Sequence, residues 1–464
     1  MNIIITLWLG AFSALNVWAF PHQLPFSHPL TTSIADYNIP EQPLTFDGHE
    51  ILQVNVRNQE ELFELQQLVD EYQLDLWTPL RVGKVDVRIP PEISSLFFSR
   101  ISSPTETKIS DLQQVINAQR PAHSFTNFTN GFFMNYHDYD EILNFTRSIA
   151  ERHSDIAQLI SIGKTYEGRD IYGLRIHKQS QSETLDKSSN NSEYKNLSTF
   201  RQRKNNKGFV MHGGQHAREW ISVAVVTYIM EQLTSGYGKN PKVTRLVDSL
   251  EFTLIPVLNV DGYVFTHKYN RMWRKNRQPT DIAWCKGIDP NRSWGYKWGH
   301  GGSSSNPCSE AYHGPSPFSA IEARLMADYL LAQGNVIAYI DFHAYSQLWM
   351  TPFTSDCEAI PRDYEDQVEL ATIATRALRK THGTRFAVGR VCDIIYQASG
   401  GSLDWTYVIA GIKYSYAVEL RDTGKYGFLL PPSQILPSGE ETWNAVLHMS
   451  DFILEREVIG PTYS

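Results

Sequence analysis

The sequence predicts an α/β domain with a mixed, mostly parallel central sheet and helices on both faces, preceded by a small α+β domain of ferredoxin-like type. Three observations carry this. From about Ser124 onward, apolar strand-like runs alternate with long amphipathic helical patterns, as crossover-connected parallel strands do. Between Glu50 and Ala118 the elements are shorter and follow the order β-α-β-β-α, with room for a last strand. The 464 residues exceed what a single core usually holds, so one large domain plus a smaller one is the natural partition.

The chain opens with an apolar run from Ile3 to Leu15 that ends in Val17-Trp18-Ala19, which reads as a secretory signal over residues 1–19, cleaved after Ala19. Residues 20–46 are rich in Pro, Ser and Thr without periodicity and read as a flexible leader. In the small domain, residues 47–123, "ILQVNV" alternates as a strand. Glu60 to Glu71 carries Leu62, Leu65, Leu68 and Val69 at helical spacing. "LDLW" and "VDVRIP" read as two further strands, and Ser110 to Ala118 as a helix.

In the large domain, residues 124–464, the strands are "GFVMH", "EFTLIPVLN", "VIAYIDF" and "IKYSYAVEL". The helices run from Trp220 to Leu233 and from Ala320 to Ala332. Ligands of such a sheet sit at the carboxyl ends of its strands, where His216, His343 and Glu419 fall. A polar stretch at about 178–207 reads as an exposed insertion whose cluster of Arg201, Arg203, Lys204 and Lys207 is a solvated loop or a processing site.

The formal charge of −8 gives no reason to expect nucleic acid or anionic membranes as partners. Four cysteines, Cys285, Cys308, Cys357 and Cys392, follow a secretory signal and suggest two disulfides, with three pairings open. Sequons at Asn127, Asn144, Asn190 and Asn196 fit the same route and are candidate glycosylation sites.

His216 and Glu219 are spaced H-x-x-E where a strand and the turn Gly213-Gly214 feed into a helix, so both side chains converge from its first turn. That pair alone is weak. With His343 at a distant strand end it supplies two imidazoles and a carboxylate, enough to hold one zinc ion with a position open. The alternative H-E-x-x-H signature fails, since His49-Glu50 is followed by Gln53.

The phrases "GGQHAREW", "YIDFHAYSQ" and "YAVELRDTG" closely resemble the funnelin zinc carboxypeptidases of the A/B type, and the likeness runs from about Asp47 to the C-terminal helix. The resemblance implies the zinc carboxypeptidase fold, one Zn2+ per chain on His216, Glu219 and His343, and Asp289 as the carboxylate behind a ligand imidazole. It implies that residues 47–123 are an activation propeptide that covers the cleft until a protease cuts the connector. Arg120 in that connector is followed by Pro121, which disfavours trypsin-like cleavage there. It also implies the pairings Cys285 with Cys308 and Cys357 with Cys392.

By the same resemblance Glu419 is the general base, and Arg274 stabilises the oxyanion. Asn291, Arg292 and Tyr396 bind the substrate's terminal carboxylate, for which an arginine fork is well shaped. Arg218, Arg271 and Tyr345 are implied as contacts further out. At the position where basic-specific members carry aspartate this chain has Leu403, which predicts preference for aromatic or large aliphatic C-terminal residues. The neighbouring Asp404 would reverse that preference if it faced the pocket.

The reading is therefore a monomeric, secreted or vacuolar zymogen that acts on peptide C-termini, with its own propeptide as inhibitor and no nucleic acid or membrane partner. The competing reading is a silent zinc-binding relative with a role in cell-wall assembly. Some fungal members carry lysine in place of the glutamate that is Glu419 here and are regarded as inactive.

Overall fold

A computed structural model describes residues 42–119, 131–178 and 206–460. The signal, most of the leader, Arg120-Pro121, Asn127, Asn190, Asn196 and the insertion's Arg201, Arg203 and Lys204 lie outside the described residues.

The small domain runs β1 (Glu50–Val56), α1 (Gln59–Tyr72), β2 (Asp75–Leu76), β3 (Gly83–Ile89), α2 (Pro91–Arg100), β4 (Thr105–Ile109) and α3 (Leu112–Gln119). Its sheet has the order β2-β3-β1-β4, every neighbouring pair antiparallel. Strand alternation sorts the two faces. Leu52, Val54 and Val56 of β1 join Val85, Val87 and Ile89 of β3 in a core with Leu65, Leu68 and Phe97. Ile51 and Trp77 instead join the large domain's core, so the sheet is covered on both sides. Asn58 caps α1 by accepting the amide of Glu61, and Gln73 closes it in the left-handed conformation.

Helix α2 is not read from the sequence. Only Phe97 of its apolar residues is buried, while Leu96 and Phe98 are exposed, so no single face shows the helical period. The helical pattern seen at Ser110 to Ala118 is α3, which lies beyond the ferredoxin-like unit. Its Leu112 and Ile116 pack into the core of the large domain.

The large domain begins with α4 (Tyr139–Arg152), whose Asp138 and Glu141 form a reciprocal capping box. Candidate sequon residue Asn144 is exposed on this helix. The strands β5 (Ala157–Lys164), β6 (Asp170–Ile176), β7 (Lys207–His212), β8 (Leu250–Ile255), β9 (Val336–His343), β10 (Leu348–Thr351), β11 (Ala387–Arg390) and β12 (Tyr414–Glu419) form one sheet. Its order is β11-β10-β12-β9-β7-β8-β6-β5.

The four inner strands β12, β9, β7 and β8 are mutually parallel, and these are the four read from the sequence. The pairs β12/β10, β8/β6 and β6/β5 are antiparallel. The helix Ile435–Ile453 packs against both Trp220–Gly236 and Tyr364–His382 beside the sheet. Among the described residues no helix is long and apolar enough to cross a membrane. Cys285 is bonded to Cys308 and Cys357 to Cys392, the pairing the resemblance implies.

Candidate active site

The mouth of the site is built by parallel strands ending together. Past His212, Gly214 turns the chain at φ +62°, and a Cβ on Gly213 would lie 2.6 Å from the Ser222 carbonyl oxygen. Only glycine lets this turn pack onto the helix behind it. His216 and Glu219 lie in that turn, not in the helix's first turn as the spacing predicts. Glu219 is the non-helical residue immediately before Trp220–Gly236. His343 ends β9 and Glu419 ends β12, in register with each other.

His216 Nδ1 lies 2.9 Å from Glu219 Oε1 and 3.1 Å from His343 Nδ1, and His343 Nδ1 lies 3.0 Å from Glu219 Oε2. All three residues are buried. Each imidazole has its other nitrogen against a carboxylate: His216 Nε2 is 3.1 Å from Asp289 Oδ1, and His343 Nε2 is 2.9 Å from Asp341 Oδ2. With protons on those rear nitrogens, two Nδ1 lone pairs and a carboxylate face one point. They repel one another unless a cation stands between them, and imidazole with carboxylate is a donor set that suits zinc. The residues present fit the metal.

The electrostatics agree. Burial alone would raise Glu219 and Asp289. The two imidazoles outweigh it at Glu219, and Arg274 with His216 at Asp289, so both carboxyls fall below the usual range. Burial would lower His343, but Asp341 and Glu219 raise it well above the ordinary imidazole value, a proton doing part of a cation's work. Glu419 goes the other way: burial, then the Glu219 carboxylate, push it up to about 8, and its Oε2 is buried without a hydrogen-bond partner. A cation beside Glu219 would oppose that repulsion and favour the ionised form of Glu419.

Arg274 donates through Nε and Nη2 to Asp289 Oδ2, at 3.2 and 2.8 Å, and its Nη1 lies 3.8 Å from Glu219. This holds the guanidinium at the edge of the donor trio. Also lining the cleft, Arg292 donates to Gly302 O, Asn291 O and the Tyr396 hydroxyl, the last at 2.8 Å. Asn291 Oδ1 accepts the Ser402 amide. Leu403 lines the cleft and clusters with Met350, Val391 and Ala417. Asp404 is turned away, accepting from the Thr354 and Ser355 amides and the Ser355 hydroxyl.

One expectation needs correction. Arg271 does not line the cleft: it donates to Gln119 Oε1, Arg218 O and Phe428 O while its guanidinium stacks 3.7 Å over Trp220. Carbonyls and a small-domain glutamine use its fork, leaving it a brace between domains. Arg218 is in the cleft but occupied, its Nη1 2.8 Å from Asp75 Oδ1 of β2. Tyr345 likewise donates to Asp86 of β3 at 2.9 Å, and Arg81 donates to Ile395 O. The small domain thus sits over a cavity of about 760 Å³ whose walls include His216, Glu219, Arg274, Tyr396 and Glu419. Asp341 escaped the sequence reading, although a lone carboxylate two residues before a strand-end histidine shares its strand face.

Residues 142–445 match the zinc carboxypeptidase family and residues 52–119 the carboxypeptidase activation peptide. The chain belongs to the zinc carboxypeptidase family, as a metallocarboxypeptidase of the carboxypeptidase A type that carries a propeptide. It is 38% identical to carboxypeptidase A1 of Mus musculus over 418 residues, 88% of this chain and 94% of the mouse protein. It is 33% identical to a Talaromyces marneffei protein named inactive metallocarboxypeptidase ecm14, over 92% of this chain and 76% of that one. The crystal structure of thrombin activatable fibrinolysis inhibitor superposes with a TM-score of 0.79 at 31% identity, covering 89% of this chain and all of that one.

Proposed function

We propose that this chain is the zymogen of an active zinc exopeptidase that releases aromatic or large aliphatic residues from peptide C-termini. The observation that carries the reading is the pocket wall: Leu403 packs with Met350, Val391 and Ala417, while Asp404 is held outside by three donors. An apolar side chain buried there gains about 1.5–3 kcal/mol, whereas a cationic one would be desolvated without a partner.

In this reading His216, Glu219 and His343 hold the zinc, which when bound supplies a Lewis acid to polarise the scissile carbonyl and acidify water. Arg292 pairs with the terminal carboxylate, with Asn291 beside it, and the Tyr396 hydroxyl already on Arg292 closes over it. Glu419 takes a proton from the attacking water and passes it to the nitrogen of the leaving amino acid as the C–N bond breaks. Arg274, fixed by Asp289, stabilises the oxyanion as its charge develops. The propeptide inhibits by occupying Arg218 and Tyr345. Two disulfides fit an oxidising compartment, and we place the protein on the secretory route.

The silent alternative draws on the similarity to a relative named inactive. Glu419, Arg274, Asn291, Arg292 and Tyr396, together in one cleft, speak against it. The test is hydrolysis of peptides ending in Phe, Leu, Lys and Glu by the zinc-loaded protein after limited proteolysis of its propeptide. Turnover of Phe and Leu termini is expected. No turnover of any peptide would rule out the enzyme, and preference for Lys would rule out the pocket assignment.

A further inference from the structure

Asp341 is fully buried in β9, two residues before His343 and therefore on the same face of the strand. Its Oδ2 gathers three groups: the Ser402 hydroxyl at 2.6 Å, His343 Nε2 at 2.9 Å and Gln215 Nε2 at 3.0 Å. These come from three separate parts of the site. Gln215 adjoins His216 in the glycine turn, and Ser402 opens the short helix that carries Leu403.

A plain structural role, a buried ion pair with His212, fits the geometry poorly. His212 Nε2 is 3.5 Å from Asp341 Oδ1 and is instead taken by the Tyr339 hydroxyl at 2.6 Å. Oδ1 has no hydrogen-bond partner, so the bonds of this carboxylate all run through the oxygen that faces His343. Asn291 Nδ2 is 3.2 Å from the same imidazole nitrogen, but it is a donor, and Asp341 is both nearer and an acceptor. Asp341 therefore offers an acceptor to a proton on His343 Nε2, so that Nδ1 is the nitrogen turned to Glu219 and His216 when a cation stands between them.

We infer that Asp341 is a positioning residue for the metal site, orienting His343 as Asp289 orients His216. It also ties that imidazole to the turn before His216 and to the helix of the specificity pocket through Gln215 and Ser402. This rests on the assignment of zinc to His216, Glu219 and His343. Loss of such a carboxylate behind a ligand imidazole costs about 10–100-fold in metal affinity.

The test is zinc affinity of the full chain by competition with a chromophoric chelator, with the thermal midpoint of the metal-free protein measured alongside. For Asp341→Asn, binding about 10–100-fold weaker than wild type is expected in a metal-free chain that is still folded at the assay temperature. Affinity within about twofold of wild type would overturn the inference while leaving the zinc site standing. A wild-type chain that bound no zinc would overturn both. Should Asp341→Asn not fold, nitrogen NMR of the zinc-loaded wild type decides. His343 is expected to carry its proton on Nε2, slow to exchange, and a proton on Nδ1 would overturn the inference.

Discussion

Glu419 and His343 are register partners, the last residues of adjacent parallel strands β12 and β9. Their relation is fixed by the main-chain ladder, and strands so paired stand about 4.8 Å apart. The proposed base and one proposed metal ligand therefore share a rigid frame and need no contact of their own to stay aligned. The unpartnered Oε2 of Glu419 shows that the fold leaves this carboxylate unengaged. A buried carboxylate oxygen left so, on a half-buried residue, is costly for stability and is where a reaction partner would be expected.

Glu419→Gln is the sharpest consequence. Glutamine keeps the shape and cannot take a proton, and Glu419 is outside the trio of donors. Zinc binding should be unchanged and kcat on a Phe-terminated peptide should fall by about 10²–10⁴-fold, the usual contribution of a general base. Wild-type turnover by this variant would remove Glu419 from the chemistry.

Leu403→Asp should redirect specificity. The substitution removes apolar wall and places a carboxylate where Met350, Val391 and Ala417 now meet Leu403. With roughly 1.5–3 kcal/mol of side-chain burial at stake, kcat/KM for Phe termini should drop by about 10–100-fold, while Lys and Arg termini gain. An unchanged ranking of the four termini would show that the pocket lies elsewhere.

The sequence was legible where burial is strongest. Strands β7, β8, β9 and β12 are covered on both faces and read as bounded apolar runs, as inner parallel strands do. The outer strands β5, β6, β10 and β11 were missed: "AVGR" of β11 has neither length nor pattern. The donors His216, Glu219 and His343 stood out because their surrounding phrases resemble a family. The engagement of Arg271 did not, because a basic run looks the same whether its fork meets solvent or, as here, carbonyls of Arg218 and Phe428.

The contact between Asp75 and Arg218 should govern latency. Both are buried, and although burial raises Asp75, Arg218 and Arg88 hold its carboxyl below the usual range. Removing one partner of such a pair leaves the other charge buried and uncompensated, at about 3–5 kcal/mol. Asp75→Ala in the uncleaved chain should therefore loosen the small domain over the cleft and raise hydrolysis of a short Phe-terminated substrate at least roughly tenfold. If uncleaved wild type and variant hydrolyse it equally, the propeptide inhibits through other contacts.

His49 should make that brace sensitive to pH. Arg88 Nη1 lies 3.0 Å from His49 Nδ1 and Arg88 Nε lies 3.3 Å from Asp75, so the imidazole stands behind the arginine that helps hold Asp75. Only neutral His49 can accept from a guanidinium. Burial, then Arg88, lower its pKa, while Glu92 on α2 and Asp47 before β1 raise it in part. The folded form thus binds fewer protons than the unfolded form below the ordinary imidazole value. The stability tied to His49 is complete above that value and is lost as pH falls toward the depressed one. Amide protection factors in β2 and β3 should fall as pH drops below the ordinary imidazole value, by more than in His49→Gln, since Gln accepts from Arg88 without titrating. Parallel pH profiles for the two proteins would mean that His49 takes no part in the acid response.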